Sequence, residues 1–468
     1  MKETLVKIQN SNFIKVLKEI LSSKYFPFLG AALAVTCYYT GLDLLMFYFI
    51  ATTCALTIVL LDDLSPIFSS LLFMGVTVSL KNTIALGISD YYGRPVIYIQ
   101  LIIMAVFLIL LAVYRLIKTI VQKKFKLTPM FYGTCALAAV LVLNGLFSED
   151  YTPKNLLYGF IIAAAIFGIY AALKDNLKLN SEAFEKIAYA FIAMSALLLV
   201  ELIVAYATTD INFENDVVNN RNALVFGWGD YNTFGLKLLI CIPAAIYLAC
   251  KKRFGFVYTA YSLLLFTGLF FSCSRQTIIG GVIIYIPCIA MLFINKKNRI
   301  ANAIVLAVAA AVGILLVGIF HETVFRFLKM LFDSLFSNGK PDGNGRIKLW
   351  KDAIKHFKAS PFFGSGFFSE YTFITPVTVE FIPMLCHNTI LQYLGSCGII
   401  GLTVYFIHRA QTAISFFRKV TIERTFIALT ILSFLILDLF DHHLFNVFPT
   451  LIYGALLAVL DKSEEKTV

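Results

Sequence analysis

Three charged residues, Lys81, Glu201 and Lys237, stand inside long apolar stretches of the sequence. If these stretches cross a membrane, a charge at that depth is unfavourable and is typically retained for a function. We expect all three to lie in the outer half of the bilayer, which favours a polar cavity open to the outside. The alternative is that each side chain extends its charged end to the nearby interface. The sequence leaves both interpretations open.

A candidate anion site lies at Arg346, the first residue of an amphipathic segment that spans residues 346–359. Apolar residues fall on one helical face of this segment and lysines on the other, and Ser360-Pro361 ends it. At the amino terminus of a helix, unpaired backbone N–H groups and the helix dipole attract an anion. An ordinary surface helix would show the same pattern, and we favour that interpretation for the lysines.

The turn Asp441-His442-His443 contains groups that could bind a metal or transfer protons. Imidazole and carboxylate groups are common ligands of transition metals. Adjacent histidines, however, do not easily direct both rings to one ion, and the sequence has no CxxC pair. It also has neither a nucleotide-binding P-loop nor a dinucleotide fingerprint. The sequence therefore predicts no metal site and no cofactor.

The composition indicates which class of protein positions these groups. Hydrophobic residues make up 59% of the 468 residues and charged residues 14%, against averages of about 45–50% and about 25%. Too little polar surface remains to cover a soluble fold of this size, so a soluble enzyme, a secreted disulfide scaffold and a disordered chain are excluded. The basic residues form no cluster in a fold context that would bind nucleic acid. The sequence predicts a polytopic integral membrane protein.

The apolar runs are about 15–24 residues long, which suits helices that cross the hydrocarbon core. They predict an all-α protein with about 14 transmembrane helices, or 12 if the shortest runs are discounted. Residues 321–386 form a long extracytoplasmic loop that contains short amphipathic helices, at 321–336 and 346–359. The predicted spans lie near residues 25–41, 42–61, 66–88, 96–114, 129–147, 156–173, 187–207, 232–250, 255–272, 277–294, 300–320, 387–407, 425–440 and 446–460.

The distribution of lysine and arginine predicts the orientation. With the amino terminus in the cytoplasm, the inner segments carry 25 of the 39 lysine and arginine residues, and the short outer loops carry four. An excess of positive charge on cytoplasmic segments is the usual pattern. We therefore expect a multi-pass membrane protein with both termini in the cytoplasm and residues 321–386 outside.

Four short segments occur in order along residues 220–405. The string CHNTILQYLGSCGIIGL has nine residues between His387-Asn388 and Gly398, and two more before Gly401. The other segments are NRNALVFGWGDYNTFG, SCSRQTIIGG and GRIKLWKDAIKHFKASPFFGSGF. Together they resemble the motifs of the O-antigen ligase and O-antigen polymerase superfamily of bacterial membrane glycosyltransferases, whose signature includes H-N-x9-G-x-x-G. The amino-terminal half has no motif that matches this family.

The resemblance implies an enzyme of the bacterial plasma (inner) membrane that moves a glycan from a polyprenyl (undecaprenyl) diphosphate carrier to an acceptor hydroxyl at the outer, extracytoplasmic face. His387 would be the general base, with inversion at the anomeric carbon and no required metal. Arg275, Arg346 and Arg221 would bind the diphosphate, because a guanidinium forms paired hydrogen bonds to phosphate. Secondary candidates are Asn388, Asn232, Lys81, Glu201 and Lys237.

The chain would then divide into four parts. Residues 1–219 form amino-terminal transmembrane helices, and residues 220–320 form transmembrane helices that carry the arginine motifs. Residues 321–386 are the extracytoplasmic loop, and residues 387–468 are carboxy-terminal transmembrane helices that start with the histidine motif.

Several activities remain open. A polymerase joins lipid-linked repeat units, and a ligase moves finished glycan to an acceptor such as lipid A–core; the lack of a recognisable feature for that acceptor favours a polymerase. A protein-glycosylating relative is a third option. Expected partners are a lipid-linked oligosaccharide donor, a saccharide or glycolipid acceptor and membrane lipids, with a flippase and a chain-length regulator as further candidates. The alternative is a secondary transporter of an anionic solute or lipid-linked substrate, but charges near one leaflet and a single large outer loop favour the enzyme.

Overall fold

The computed structural model describes residues 12–77, 95–149, 151–208, 226, 231–295, 297–333, 336–337, 340–341, 346–368 and 386–464. Regular structure in these ranges is helical, except for a two-residue antiparallel pair between Phe336–Ser337 (β1) and Lys340–Pro341 (β2). This confirms the predicted all-α class. The helices are α1 Asn12–Ser22, α2 Phe26–Thr40, α3 Asp43–Leu60, α4 Ile67–Thr77, α5 Pro95–Val121, α6 Pro129–Val142, α7 Pro153–Leu173, α8 Ser181–Thr208, α9 Tyr231–Lys251, α10 Gly255–Phe271, α11 Arg275–Ile294, α12 Arg299–Ile319, α13 His321–Asp333, α14 Arg346–Ala359, α15 Thr389–Arg418, α16 Ile422–Asp438 and α17 Val447–Glu464.

Eight helices of the described ranges are long and apolar enough to cross a membrane, namely α3, α5, α7, α8, α9, α11, α12 and α15. The pair α1 and α2, bent by 81°, would be a ninth if it forms one broken span. Every predicted span overlaps a helix of the described residues, but α6 and α10 have only 14 and 17 residues, fewer than the ~20 that a span needs. The predicted number of about 14 is therefore not confirmed. The predicted span 66–88 begins as α4 and continues outside the described residues.

Two helices that carry candidate polar groups lie in the interior of the bundle. The apolar window of α9 is 94% buried and that of α8 is 78% buried, whereas the corresponding values for α5 and α12 are 12% and 6%. Polar residues of membrane proteins typically face the bundle interior, and apolar side chains face lipid. Candidate residues on α8 and α9 are therefore enclosed by other helices.

The two amphipathic helices predicted at 321–336 and 346–359 are present as α13 and α14. α14 packs against the first half of α15, because a Cβ atom on Gly395 would lie 3.2 Å from the carbonyl oxygen of Ala353. The indole N–H of Trp350 donates to the carbonyl of Cys386 at 3.1 Å. These contacts fix α14 beside the residue that precedes His387.

α15 is broken at Gly398, where φ is +67° and ψ is −165°. The irregular segment 361–366 crosses this break, and the amide of Ile399 donates to the carbonyl of Pro361 at 2.9 Å. A Cβ atom on Gly398 would lie 2.3 Å from the carbonyl oxygen of Phe362. Glycine is required here because it tolerates both the positive φ and the close approach of the second chain segment.

Candidate active site

A turn at residues 439–443, between α16 and α17, is contacted by side chains from three other parts of the chain. Gln276, the second residue of α11, donates from Nε2 to Asp441 Oδ2 at 3.0 Å. Arg346, the first residue of α14, donates to a backbone carbonyl of the turn. The Nδ1 atom of His387 lies 2.9 Å from Asp441 Oδ1. The starts of α11, α14 and α15 therefore meet at this turn.

Asp441 is 4% exposed, and both of its carboxylate oxygens accept hydrogen bonds. In addition to His387 and Gln276, the backbone N–H of His442 donates to Oδ1 at 3.0 Å. Burial alone would raise the pKa of Asp441, but the nearby imidazoles of His442 and His443, and the hydrogen bond to His387, hold it well below its usual range. Asp441 is thus a fixed negative charge beside His387.

His387 has a strained backbone at the start of α15. Its φ is +48°, in the left-handed region that few residues other than glycine adopt and that often marks functional sites. The next residue, Asn388, caps the helix by accepting the N–H of Leu391 at 3.0 Å, and its side-chain amide donates to the carbonyl of Leu439 at 2.9 Å. The imidazole is thereby held between the helix start and the turn, with 36% of its surface exposed.

The two nitrogens of the His387 ring have different environments. When Nδ1–H donates to Asp441, the neutral ring carries its lone pair on Nε2. Because the side chain is partly exposed, Nε2 can then accept a proton from a molecule outside the protein, and the carboxylate stabilises the imidazolium that forms. A histidine oriented by a buried carboxylate has the geometry of a general base.

Arg275 and Asn232 lie at neighbouring helix starts. Arg275 is half-buried at the first position of α11, directly before Gln276. The hydroxyl of Ser274 donates to Asn232 Oδ1 at 2.8 Å, which joins the starts of α11 and α9. The structure thus brings most of the described candidates to one region: Arg275, Arg346, His387 and Asn388, with Asn232 one hydrogen bond away.

The other predicted residues have different surroundings or lie outside the described part. Glu201 accepts a hydrogen bond from the hydroxyl of Tyr39 at 2.6 Å, which joins α8 to α2. Glu201 and Lys237 are 4% and 6% exposed, so both side chains are buried among helices. Their role in a polar cavity stays a prediction. Lys81 and Arg221 lie outside the described residues.

Reasoning from the sequence missed both side-chain partners of the histidine site. The sequence indicates Asp441 only as part of a possible metal-binding turn and indicates no role for Gln276. Two signals could have found them. Gln276 directly follows Arg275 at a predicted outer helix end, and Asp441 is an acidic residue on the same predicted side of the membrane as His387.

One group of side chains in the described ranges could hold a metal ion. The ligand atoms of His387, Asp441 and His442 all lie within 4.8 Å of one another. The objection that adjacent histidines cannot share an ion applies to His442 and His443, whereas His387 comes from a different part of the chain. The prediction that no metal is required stays a prediction.

Comparison with known proteins identifies one family. Residues 260–406 match the family described as O-antigen ligase. A search of curated proteins finds no match. The match includes Arg275, Arg346 and His387 and ends before Asp441. It confirms the resemblance to the O-antigen ligase and polymerase superfamily and supports an O-antigen ligase-type glycosyltransferase in a multi-pass membrane protein.

Proposed function

We propose that this protein transfers a glycan from an undecaprenyl diphosphate carrier to an acceptor hydroxyl at the outer face of the bacterial plasma membrane, as an O-antigen-type polymerase or ligase. The observation that carries the proposal is the 2.9 Å contact between His387 Nδ1 and Asp441 Oδ1, at a turn that Arg346 also contacts. A proton acceptor and a cationic group therefore meet in one place. Transfer from a diphosphate donor needs both.

In the proposed reaction, Nε2 of His387 takes the proton of the acceptor hydroxyl while the hydroxyl oxygen attacks the anomeric carbon. The bond from that carbon to the diphosphate oxygen breaks, and its electron pair leaves with the diphosphate. Attack from the opposite side inverts the configuration of the anomeric carbon. Asp441 stabilises the imidazolium by a charge-assisted hydrogen bond.

The leaving diphosphate carries dense negative charge, which Arg275 and Arg346 would bind. Each arginine is the first residue of a helix, α11 and α14 respectively. Unpaired N–H groups and the helix dipole at these two starts would add to the binding of the anion. Arg221 is a third candidate for this role. Because the donor brings its own leaving group and the arginines bring the positive charge, the reaction needs no metal or cofactor.

The substitution His387→Gln tests the role of the base. Glutamine is similar in size and can hydrogen-bond, but it cannot take up a proton. We expect single-turnover transfer by the purified protein to fall by about 10²–10⁴-fold, with donor binding unchanged. The matched control is His321→Gln, at an exposed histidine of α13. Transfer at the wild-type rate would contradict the role of His387 as general base. Loss of donor binding would show instead that His387 positions the substrate.

Cysteine labelling tests the proposed orientation. Lys355 on α14 and Lys124 after α5 are both exposed and stand on opposite predicted sides of the membrane. In a cysteine-depleted background, Lys355→Cys should react with an impermeant thiol reagent on intact cells, and Lys124→Cys should react only after the cells are opened. The reverse pattern would contradict an extracytoplasmic site.

The reaction product distinguishes a polymerase from a ligase. A polymerase supplied only with lipid-linked repeat units should produce a ladder of longer glycans on the lipid carrier. A ligase should transfer glycan only when a terminal acceptor such as lipid A–core is added. Movement of the donor across vesicles without a new glycosidic bond would instead favour the transporter.

A further inference from the structure

His442 has a buried ring nitrogen that lacks a hydrogen-bond partner. Its Nδ1 atom lies 2.8 Å from Asp441 Oδ1, within ion-pair distance, but the contact lacks the alignment of a hydrogen bond. The residue is 9% exposed. Its ring centroid lies 4.7 Å from that of His387, and the Nδ1 atoms of both rings contact the same carboxylate oxygen. A buried polar atom without a partner is unfavourable, and such atoms call for a physical explanation.

We propose that His387 Nδ1, the Asp441 carboxylate and His442 Nδ1 bind a divalent transition-metal ion of the zinc type, and that the bound ion inhibits glycan transfer. The three ligand atoms already lie within 4.8 Å of one another. An ion between them would provide the His442 nitrogen with the partner that it lacks.

The ligand set and spacing suit zinc. Two imidazole nitrogens and one carboxylate oxygen form a common zinc set that leaves the fourth position open, whereas magnesium and calcium prefer oxygen ligands. Tetrahedral zinc with bonds of about 2.0–2.1 Å places its ligand atoms roughly 3.3 Å apart. The present distances from Asp441 Oδ1 to the two Nδ1 atoms are 2.9 and 2.8 Å. Small rotations of the side chains would open the required space, and the half-exposed face of His387 gives the ion access.

Inhibition follows from the chemistry of imidazole. A neutral ring whose Nδ1 is bound to a metal carries its proton on Nε2. The Nε2 atom of His387 then has no free lone pair and cannot take the proton of the acceptor hydroxyl. The ion also displaces the hydrogen bond from Nδ1 to Asp441. This consequence rests on the proposed function of His387, whereas binding of the ion does not.

Direct binding tests the site without reference to activity. Chelator-treated, purified full-length protein is titrated with Zn²⁺ by calorimetry and with Co²⁺ by visible absorption, which reports tetrahedral nitrogen and oxygen ligands. We expect one ion per chain. His442→Asn and His442→Ala each remove a proposed ligand and should weaken binding of the ion by at least about 10–100-fold. That is the loss typically seen when a group that only hydrogen-bonds a metal ligand is removed. His321→Asn, at an exposed histidine, should leave binding unchanged. The metal site would be overturned if the wild type showed no saturable binding, or if both His442 variants bound the ion as tightly as the wild type.

Transfer assays test the inhibition. Wild-type protein should be active after chelation, lose activity when Zn²⁺ saturates the site, and recover it with chelator. Because His442 takes no part in the proposed reaction, His442→Asn should be active and resist the same Zn²⁺ concentration. Activation by zinc, or equal inhibition of the variant, would overturn the inhibitory role. If metal-free wild type forms no product, the proposed function and the inhibitory role both fail. The binding measurement alone then tests whether the metal site exists.

Discussion

Two buried aspartates in different parts of the molecule, Asp441 and Asp461, are 4% and 5% exposed. Each accepts hydrogen bonds from side chains. The donors to Asp461 include the hydroxyls of Thr128, at 2.8 Å, and Tyr170, at 2.6 Å. The donors to Asp441 include the half-exposed imidazole of His387, at 2.9 Å. The two carboxylates have the same burial but different partners.

The difference shows that the chemistry of the partner, rather than burial, separates a candidate catalytic carboxylate from a structural one. Thr128 also caps α6 by accepting the N–H of Phe131 at 3.1 Å. Thr128 and Tyr170 of α7 both donate to Asp461 of α17, so this carboxylate joins α6, α7 and α17. Hydroxyl donors neither take up nor release protons near neutral pH, whereas an imidazole does. Of the two regions, the one around Asp441 therefore has a described partner that can transfer protons, namely the imidazole of His387.

The largest expected effect separates the two aspartates directly. Asp441→Asn places an amide beside His387. If the amide N–H donates to Nδ1, the proton of the neutral ring lies on Nε2, and Nε2 cannot then accept the proton of the acceptor hydroxyl. We expect kcat to fall by about 10²–10⁴-fold while the Kd of the donor stays nearly the same. The matched variant Asp461→Asn should retain kcat. Single-turnover transfer and donor binding provide the measurement, and equal losses of kcat in both variants would contradict the distinction.

A smaller effect is expected for the arginines of the same region. Arg275→Ala and Arg346→Ala should each weaken use of the donor by roughly tenfold or more, since a charged hydrogen bond contributes about 1.5–3 kcal/mol. Arg→Lys at either position should restore activity only partly, because a point charge cannot form the paired hydrogen bonds of a guanidinium.

The control for the arginine variants lies near Asp461. Arg418 pairs with Glu464 at 2.8 Å, and its side chain is 56% exposed. Arg418→Ala should leave the KM for the donor unchanged, because an exposed ion pair at that end of the bundle has no proposed part in binding. Full activity of Arg275→Lys and Arg346→Lys would show that positive charge suffices and that paired geometry is unnecessary.

The smallest effect is expected for a donor to Asp461. Tyr170→Phe removes one hydroxyl hydrogen bond from a buried carboxylate, which should lower the free energy of unfolding by about 0.5–1.5 kcal/mol. The Tm of the purified protein should fall, and the transfer rate at low temperature should not change. Tyr132→Phe, at a tyrosine of α6 that is 58% exposed, should leave both quantities unchanged. A selective loss of kcat in Tyr170→Phe would extend the catalytic region to Asp461.

The sequence predicts local features of this protein well. Apolar runs locate the helices, because each run reflects the environment of its own residues. The helix start at Arg346 and the position of His387 before α15 also follow from short segments. The number of spans does not, since α6 ends at Val142, well before the end of the apolar run 129–147. Hydropathy alone does not show where a helix ends within an apolar run.

Contacts between distant segments could not be predicted in this way. His387 and Asp441 are 54 residues apart, and Gln276 reaches Asp441 across 165 residues. These pairs depend on how α11, α15 and α16 pack, which no local pattern encodes. The sequence therefore indicates the candidate histidine but not the carboxylate that contacts it.

At Gly398 α15 is interrupted, yet the amides around the break remain hydrogen-bonded. The amide of Ile399 donates to segment 361–366, and the amides of Ser365 and Gly366 donate back to carbonyls of α15. Hydrogen exchange at these amides requires the two irregular segments to separate, so we expect them to exchange slowly and at a common rate. We therefore expect segment 361–366 to move together with this helix, so that the proposed opening of the site to a lipid-linked glycan would come from motion of other segments.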